Sequence, residues 1–93
     1  MNAVLATKIK MKAGCLNSRN LMEIDEIYLS NCRFPKFYAK EEIHEYLLKN
    51  PRTICVNIAP YPYLVPARLG NEKYVKSASN NVEYDNLLRL PRV

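Results

Sequence analysis

Residues 39–58 read AKEEIHEYLLKNPRTICVNI, and within this stretch a helical pattern gives way to a strand pattern. Over residues 39–49 the apolar side chains recur at the spacing of one helical face. They are Ala39, Ile43, Tyr46 and Leu47. The predicted outer surface carries Lys40, Glu41, Glu42, Glu45 and Lys49, with His44 on its polar flank. Asn50-Pro51 is expected to end the helix, because proline cannot continue the hydrogen-bond ladder. Residues 54–58 then alternate with a period of two, which predicts a half-buried strand.

Two strands are predicted before the helix. Residues 3–13 alternate, and one side of this segment consists of Ala3, Leu5, Thr7, Ile9, Met11 and Ala13. The other side carries Lys8, Lys10 and Lys12, so we expect a half-buried strand with one charged face. Residues 24–29 contain β-branched and aromatic side chains and predict a second strand. Its residues Ile27 and Leu29 are expected to face the core.

The connection from the second strand to the helix is expected to be irregular. It covers residues 31–37, and Pro35 within it disfavours regular structure at that point.

The second half of the chain predicts a β-meander. Residues 63–69 form a strand in which Pro66 lacks a ladder donor, so we expect an edge strand or a bulge there. Gly70-Asn71 predicts a hairpin turn. A last strand over residues 73–78 and a polar loop over residues 79–81 follow.

The chain closes with residues 85–93, in which Asp85 is expected to cap a short helical turn. The leucines of this turn would dock back on the core. The predicted fold class is therefore α+β, an antiparallel β-sheet with one helix packed on a face in the order β-β-α-β-β-β. We expect residues 1–93 to form a single domain.

Composition describes a basic globular chain. The 93 residues include 14 lysines and arginines against nine acids, which gives a formal net charge of +5. Hydrophobic residues make up 48% of the chain, and this share excludes an intrinsically disordered protein. Lys8, Lys10, Lys12 and Arg19 fall in the first twenty residues, which contain no acid, so we expect a basic patch there. A core this small leaves apolar surface, and a homo-oligomer would cover it.

Cysteine and histidine usage argues against metal and nucleophile chemistry. Cys15, Cys32 and Cys55 are widely spaced and His44 is the single histidine, so no structural metal is expected. The odd cysteine number suits reduced thiols, and no signal peptide or run of ~20 apolar residues is present. We therefore expect a cytoplasmic protein that does not enter a membrane. His44 is expected to be solvated, and we expect neither a cofactor nor catalysis.

The closing third carries a family resemblance. Residues 70–75, GNEKYV, are followed after a polar loop by residues 85–92, DNLLRLPR. This ending resembles domain-of-unknown-function family 3892, small proteins found mostly in bacteria and their mobile elements, which end in a lysine-tyrosine strand and a DNLL-x-LP motif. The chain departs from the family where the helix opens with Tyr38-Ala39 and where Ser77-Ala78 follows the last strand. The resemblance implies the same fold and a cytosolic location, and it implies no catalytic residues.

Three groups of residues are candidates for ligand binding. The lysine strand is either a solvated face or a surface that follows phosphates. Tyr61-Pro62-Tyr63 is either a rigid turn or a preorganised aromatic rim, and Tyr28 and Tyr74 are further candidate stacking rings. The closing motif either stabilises its own turn or lines a pocket. The candidate ligand-binding residues are Lys8, Lys10, Lys12, Tyr61, Tyr63, Tyr74, Asp85, Asn86, Arg89 and Arg92.

Three functions remain open from the sequence. The first is a non-enzymatic binding domain that captures an anionic ligand, a nucleotide or a nucleic acid, in a phage or mobile-element setting. The second is a protein–protein interaction or inhibitor module that acts through a sheet edge and the tyrosine-proline turn. The third is a domain that only stabilises an oligomer. Polyanion binding should weaken steeply with salt, whereas an aromatic-proline interface should barely respond.

Overall fold

The computed structural model of the chain describes residues 4–59, 61–78 and 85–93. These residues form one α-helix, six β-strands and two short 3₁₀ turns, which confirms the α+β class. The strands are β1 (Val4–Met11), β2 (Ile24–Ser30), β3 (Lys36–Ala39), β4 (Ile54–Val56), β5 (Leu64–Leu69) and β6 (Glu72–Ser77). The helix is α1 (Lys40–Lys49), and the 3₁₀ turns cover Leu21–Glu23 and Asn86–Arg89.

The strands belong to two sheets. The larger sheet has the order β3-β2-β1-β4, and β5 and β6 form a second, two-stranded sheet. β1, β2 and β3 are antiparallel neighbours, whereas β4 runs parallel to β1. The prediction of one antiparallel sheet was therefore wrong. α1 carries the chain from the β3 edge across to the opposite edge, and such a crossover delivers a parallel strand.

The segment expected to be irregular contains the first two residues of β3, and the strand continues through Tyr38 to Ala39, which was predicted to begin the helix. Pro35 lies in the turn before the strand, and Asn31 takes a left-handed backbone there with φ of 59°. Proline restricts the backbone of the residue before it and not of the residues that follow. Phe37 and Tyr38, which both favour strands, can therefore adopt the extended conformation. β3 pairs with β2 from Glu26–Ala39 to Leu29–Lys36.

β1 and β2 each contain one irregularity that shifts the side-chain alternation. The register passes from Ala6–Leu29 to Lys8–Tyr28, so Thr7 is an extra residue on β1. Because of this shift Ala6 is fully buried, whereas Leu5 and Thr7, which were predicted to face the core, are only half-buried.

The rest of the predicted alternation is mostly correct. Ile9, Met11, Ile27 and Leu29 are buried as predicted. Ala13 was placed on the inner side but is exposed, and Ala3 lies outside the described residues.

The buried face of α1 differs from the predicted one. Ile43 and Leu47 are buried as expected, but Tyr46 is 46% exposed. Lys40 and His44, predicted on the polar surface, are buried instead, since they stand one turn from Ile43 and Leu47 on the face that meets β5 and β6. His44 Nδ1 donates to the Tyr74 carbonyl at 3.0 Å, which satisfies the buried ring.

Lys40 Nζ forms an ion pair with Glu72 Oε2 at 2.7 Å and donates to the Met22 carbonyl. These two contacts connect the start of the helix to the β5–β6 hairpin and to the first 3₁₀ turn. They explain how a lysine can occupy the core side of α1.

The β5–β6 hairpin was predicted correctly. Gly70 has φ of 60° at the first of the two turn positions, where a two-residue hairpin favours glycine. Pro66 lies on an edge strand, opposite Val75. The polar loop predicted over residues 79–81 lies outside the described residues.

The closing motif stabilises its own turn, as the capping interpretation predicted. The Asp85 carboxylate accepts hydrogen bonds from Leu87 N at 2.8 Å and from Ser77 Oγ at 2.6 Å. Leu87, Leu88 and Leu90 are buried in the core. The last residues then run beside β1, where Ile9 N donates to the Pro91 carbonyl at 2.9 Å.

Candidate functional site

One face of the four-stranded sheet packs on α1 and the β5–β6 hairpin, and the other face carries a row of basic and aromatic side chains. Lys8, Tyr28 and Phe37 are direct cross-strand neighbours on β1, β2 and β3. Lys8 Nζ lies 5.0 Å from the centre of the Tyr28 ring. The Tyr28 and Phe37 rings meet edge to face, with centres 5.2 Å apart. Residues directly opposite in an antiparallel ladder share a face, so the register alone brings these three together.

The same face, which we call the open face, continues on both sides of this row. Lys10 is the next outward lysine on β1 and pairs in register with Glu26, and the exposed Asp25 is adjacent to Glu26 on β2. At the other end, Leu5 lies beside Cys55 of β4, and Cys55 in turn bridges Tyr63. Tyr63 is exposed and therefore extends the open face beyond β4.

A second basic and aromatic region surrounds the β2–β3 turn. Arg33 Cζ lies 5.7 Å from the Phe34 ring centre, and Lys36 Nζ lies 4.9 Å from that of Tyr38. Tyr38 Oη donates to the Phe34 carbonyl at 2.6 Å, which fixes the turn. Phe34 is nevertheless 65% exposed. Between this turn and α1 lies a groove of about 380 Å³, and Tyr46 contributes to its wall.

Lys12 is separated from the other two lysines of the predicted stripe. Its Nζ lies 3.6 Å from Glu72 Oε2, the same oxygen that binds the buried Lys40. The hydrogen bond and charge of Lys40, with the charge of Lys12, hold the pKa of Glu72 below its usual range. Lys12 therefore balances a structural carboxylate, and Lys8 and Lys10 remain on the open face.

The predicted residues of the closing motif lie elsewhere. Tyr74 and Asp85 line a shallow cleft of about 640 Å³ together with Arg19. The Asp85 oxygens in this cleft already accept the hydrogen bonds of Ser77 and Leu87.

The remaining closing-motif candidates also make bonds within the protein. Asn86 is buried, and its Oδ1 accepts from Arg89 Nη1 at 3.5 Å. Arg92 donates to the carbonyls of Leu16 and Leu88 and connects the loop after β1 to the closing turn. These side chains therefore hold the fold together and do not join the lysines.

The tyrosine-proline turn displays two rings. Tyr61 adopts a left-handed backbone, with φ of 60°, and the residue is 56% exposed. The turn is held by hydrogen bonds from Tyr61 N to the Ile58 carbonyl at 2.7 Å and from Val56 N to the Pro62 carbonyl at 2.8 Å. Non-glycine residues in this conformation cost free energy, and they occur often where function needs them.

Two of the three cysteine thiols, those of Cys15 and Cys55, are poorly suited to nucleophilic chemistry. Burial raises the pKa of Cys55, and it also raises that of Cys15, whose Sγ donates to Glu23 at 3.4 Å. Both thiols therefore favour the protonated form at neutral pH. Within the part of the chain that the structure describes, no three metal-binding side chains cluster, and no helix has the length and hydrophobicity to cross a membrane.

Sequence reasoning found Lys8 and Lys10 and named Tyr28 as a candidate stacking ring, but it did not predict that Tyr28 and Phe37 lie beside the lysines. Tyr28 was not connected to the lysine strand, and Phe37 was assigned to an irregular segment. A signal was present in residues 33–38, RFPKFY, where cationic and aromatic side chains are interspersed.

Comparisons with known proteins add no relative. The chain matches no protein-family model, and neither the curated proteins nor the solved structures include a significant match.

Proposed function

We propose that this protein is a non-enzymatic domain that captures nucleotides, free or within a nucleic-acid strand, on the open face of its four-stranded sheet. The observation that carries the proposal is the cross-strand row of Lys8, Tyr28 and Phe37. The free thiols suit the reducing cytoplasm as its place of action. The resemblance of the closing motif to family 3892, and the mobile-element setting that it implies, remain predictions.

The chemistry of the row matches the two parts of a nucleotide. Aromatic rings on a sheet surface stack on bases, and such stacking is worth ~1–3 kcal/mol per base. On the neighbouring strand β1, Lys8 and Lys10 supply positive charge that can bind phosphate, and both side chains are exposed. The Lys8 ammonium group lies 5.0 Å from the centre of the Tyr28 ring, so a cation and an aromatic ring stand side by side on adjacent strands.

The proposal predicts that reversing the two open-face lysines weakens binding. The double substitution Lys8→Glu and Lys10→Glu should raise the dissociation constant of a fluorescent oligouridylate by about tenfold or more, because phosphate contacts are replaced by repulsion. Fluorescence anisotropy at low salt measures this change. The substitutions lie on exposed positions, so circular dichroism should show an unchanged fold.

A matched control separates the site from the net charge. Lys49 and Lys76 are also exposed, on the end of α1 and on β6, and Lys49→Glu with Lys76→Glu lowers the net charge by the same amount. The control should bind nearly as well as the unmodified protein. Equal affinity of the open-face variant and the control would contradict the proposal.

A second function is favoured by the tyrosine-proline turn. Tyr61 and Tyr63 present exposed rings from a turn whose backbone is held in an uncommon conformation, as a preorganised protein-binding surface would. Tyr61→Ala and Tyr63→Ala should then abolish capture of a protein partner without loss of stability. Nucleotide binding unaffected by Tyr61→Ala would assign the two surfaces to separate partners.

A further inference from the structure

The β2–β3 turn places the aromatic and cationic side chains on both sides of an edge strand. β3 is the outer strand of its sheet, with β2 as its one neighbour among the described strands. Phe37 points to the open face, where it meets Tyr28. Tyr38, the next residue, points to the opposite side, where Lys36 Nζ lies over its ring. The two faces are thus separated by the thickness of a single strand.

The groove on the second side has the composition of a base-binding pocket. Its volume of about 380 Å³ lies within the ~300–1,000 Å³ range of ligand pockets. The rings of Phe34, Tyr38 and Tyr46 wall it, and Leu29 and Ile43 contribute an apolar surface.

Charge at the groove favours an anionic ligand. Arg33 lines the groove beside Phe34, and Lys36 Nζ lies over the ring of Tyr38, another lining residue. Glu42 also lines the groove, but its Oε1 accepts from Ala39 N at 3.2 Å at the start of α1. Arg33 in the lining and Lys36 over the ring of a lining residue therefore supply positive charge, whereas the carboxylate of Glu42 already accepts a hydrogen bond from the protein.

We infer that the ligand is a single strand of nucleic acid that crosses the open face, passes round β3 and places a base in the groove between the β2–β3 turn and α1. This inference rests on the proposed function, and it selects a strand over a free nucleotide. A mononucleotide can occupy one of the two aromatic regions, whereas a strand occupies both. Binding should therefore strengthen with length until the strand reaches the groove.

A length series with one exposed substitution tests the inference. Oligouridylates and oligothymidylates of one, two, four, six and eight nucleotides are titrated against the protein and its Phe34→Ala variant. We expect Phe34→Ala to weaken hexamer binding about tenfold, the effect of losing one stacked base, and to leave dinucleotide binding within twofold. Leu69→Ala, at an exposed apolar position on β5, is the matched control and should change neither.

The outcomes separate this inference from the proposed function. If Phe34→Ala has no effect at any length while Lys8→Glu with Lys10→Glu abolishes binding, the groove is not used and the open face still is. A mononucleotide that binds as tightly as the hexamer overturns the strand inference in the same way. If no oligonucleotide or mononucleotide binds the unmodified protein at low salt, both proposals are wrong. Unchanged thermal unfolding of Phe34→Ala confirms that the comparison concerns binding.

Discussion

At the scale of single residues, Lys40 is the least expected feature of the core. Its side chain is 1% exposed, and its ammonium group is satisfied by Glu72 and by the Met22 carbonyl. A buried cation costs several kcal/mol in lost hydration unless its partners compensate for it. Helical spacing places Lys40 on the same face of α1 as Ile43 and Leu47. Lysine side chains are nevertheless rarely buried, so the sequence predicted Lys40 at the surface.

Substitutions in this ion pair should have unequal effects. Lys40→Met keeps the apolar stem and removes the charge, so it should cost about 1 kcal/mol or less. Glu72→Gln leaves the buried ammonium without its counter-charge and should lower the urea midpoint more than Lys40→Met does. In the double variant the loss should be smaller than in Glu72→Gln alone. A Lys40→Met protein less stable than Glu72→Gln would show that packing of the lysine stem outweighs its charge.

At the scale of elements, the closing turn and β6 depend on one carboxylate. Asp85 accepts hydrogen bonds from Leu87 N and from both the N–H and the hydroxyl of Ser77. Asp85→Ala should therefore destabilise the protein by about 2 kcal/mol, the combined effect of a lost cap and lost hydrogen bonds. Urea unfolding measures this, with the exposed Asp25→Ala on β2 as control, which should change stability little. Equal stability of the two variants would contradict the assigned role.

Local patterns predicted those elements whose signal is contained in their own residues. α1 shows helical spacing and ends near Asn50-Pro51, and the β5–β6 hairpin has its glycine at the turn. β3 was missed because four residues are too short for a periodic signal, and the direction of β4 depends on where α1 returns the chain. Two of the three residues of the central row could therefore not be placed beside the third from the sequence. Lys8 is visible in the sequence, but Tyr28 and Phe37 join it only through strand register.

At the scale of the whole molecule, the net charge of +5 says little about where an anion binds. Lys12 and Lys40 both belong to the Glu72 ion-pair network, and Lys73 pairs with Glu45 at 2.7 Å. These three lysines neutralise acids of α1 and the second sheet, so their charges are already balanced within the protein. Lys8 and Lys10 lie outside this network and are exposed on the open face, where Glu26 stands opposite Lys10 with the exposed Asp25 beside it.

Salt dependence should report how many of these cations contact phosphate. For single strands, the logarithm of the binding constant falls with the logarithm of salt concentration by roughly 0.7 per phosphate contact. Lys8→Glu with Lys10→Glu should therefore reduce the magnitude of the hexamer slope by about 1.4, the share of two contacts. Lys49→Glu with Lys76→Glu should keep the slope of the unmodified protein, although its net charge is the same as that of the open-face variant. Anisotropy titrations from 50 to about 300 mM salt, the range over which screening changes strongly, measure both slopes. An equal reduction of the slope in the two variants would mean that binding depends only on the overall charge of the protein. The proposal that the open face is the binding surface would then be wrong.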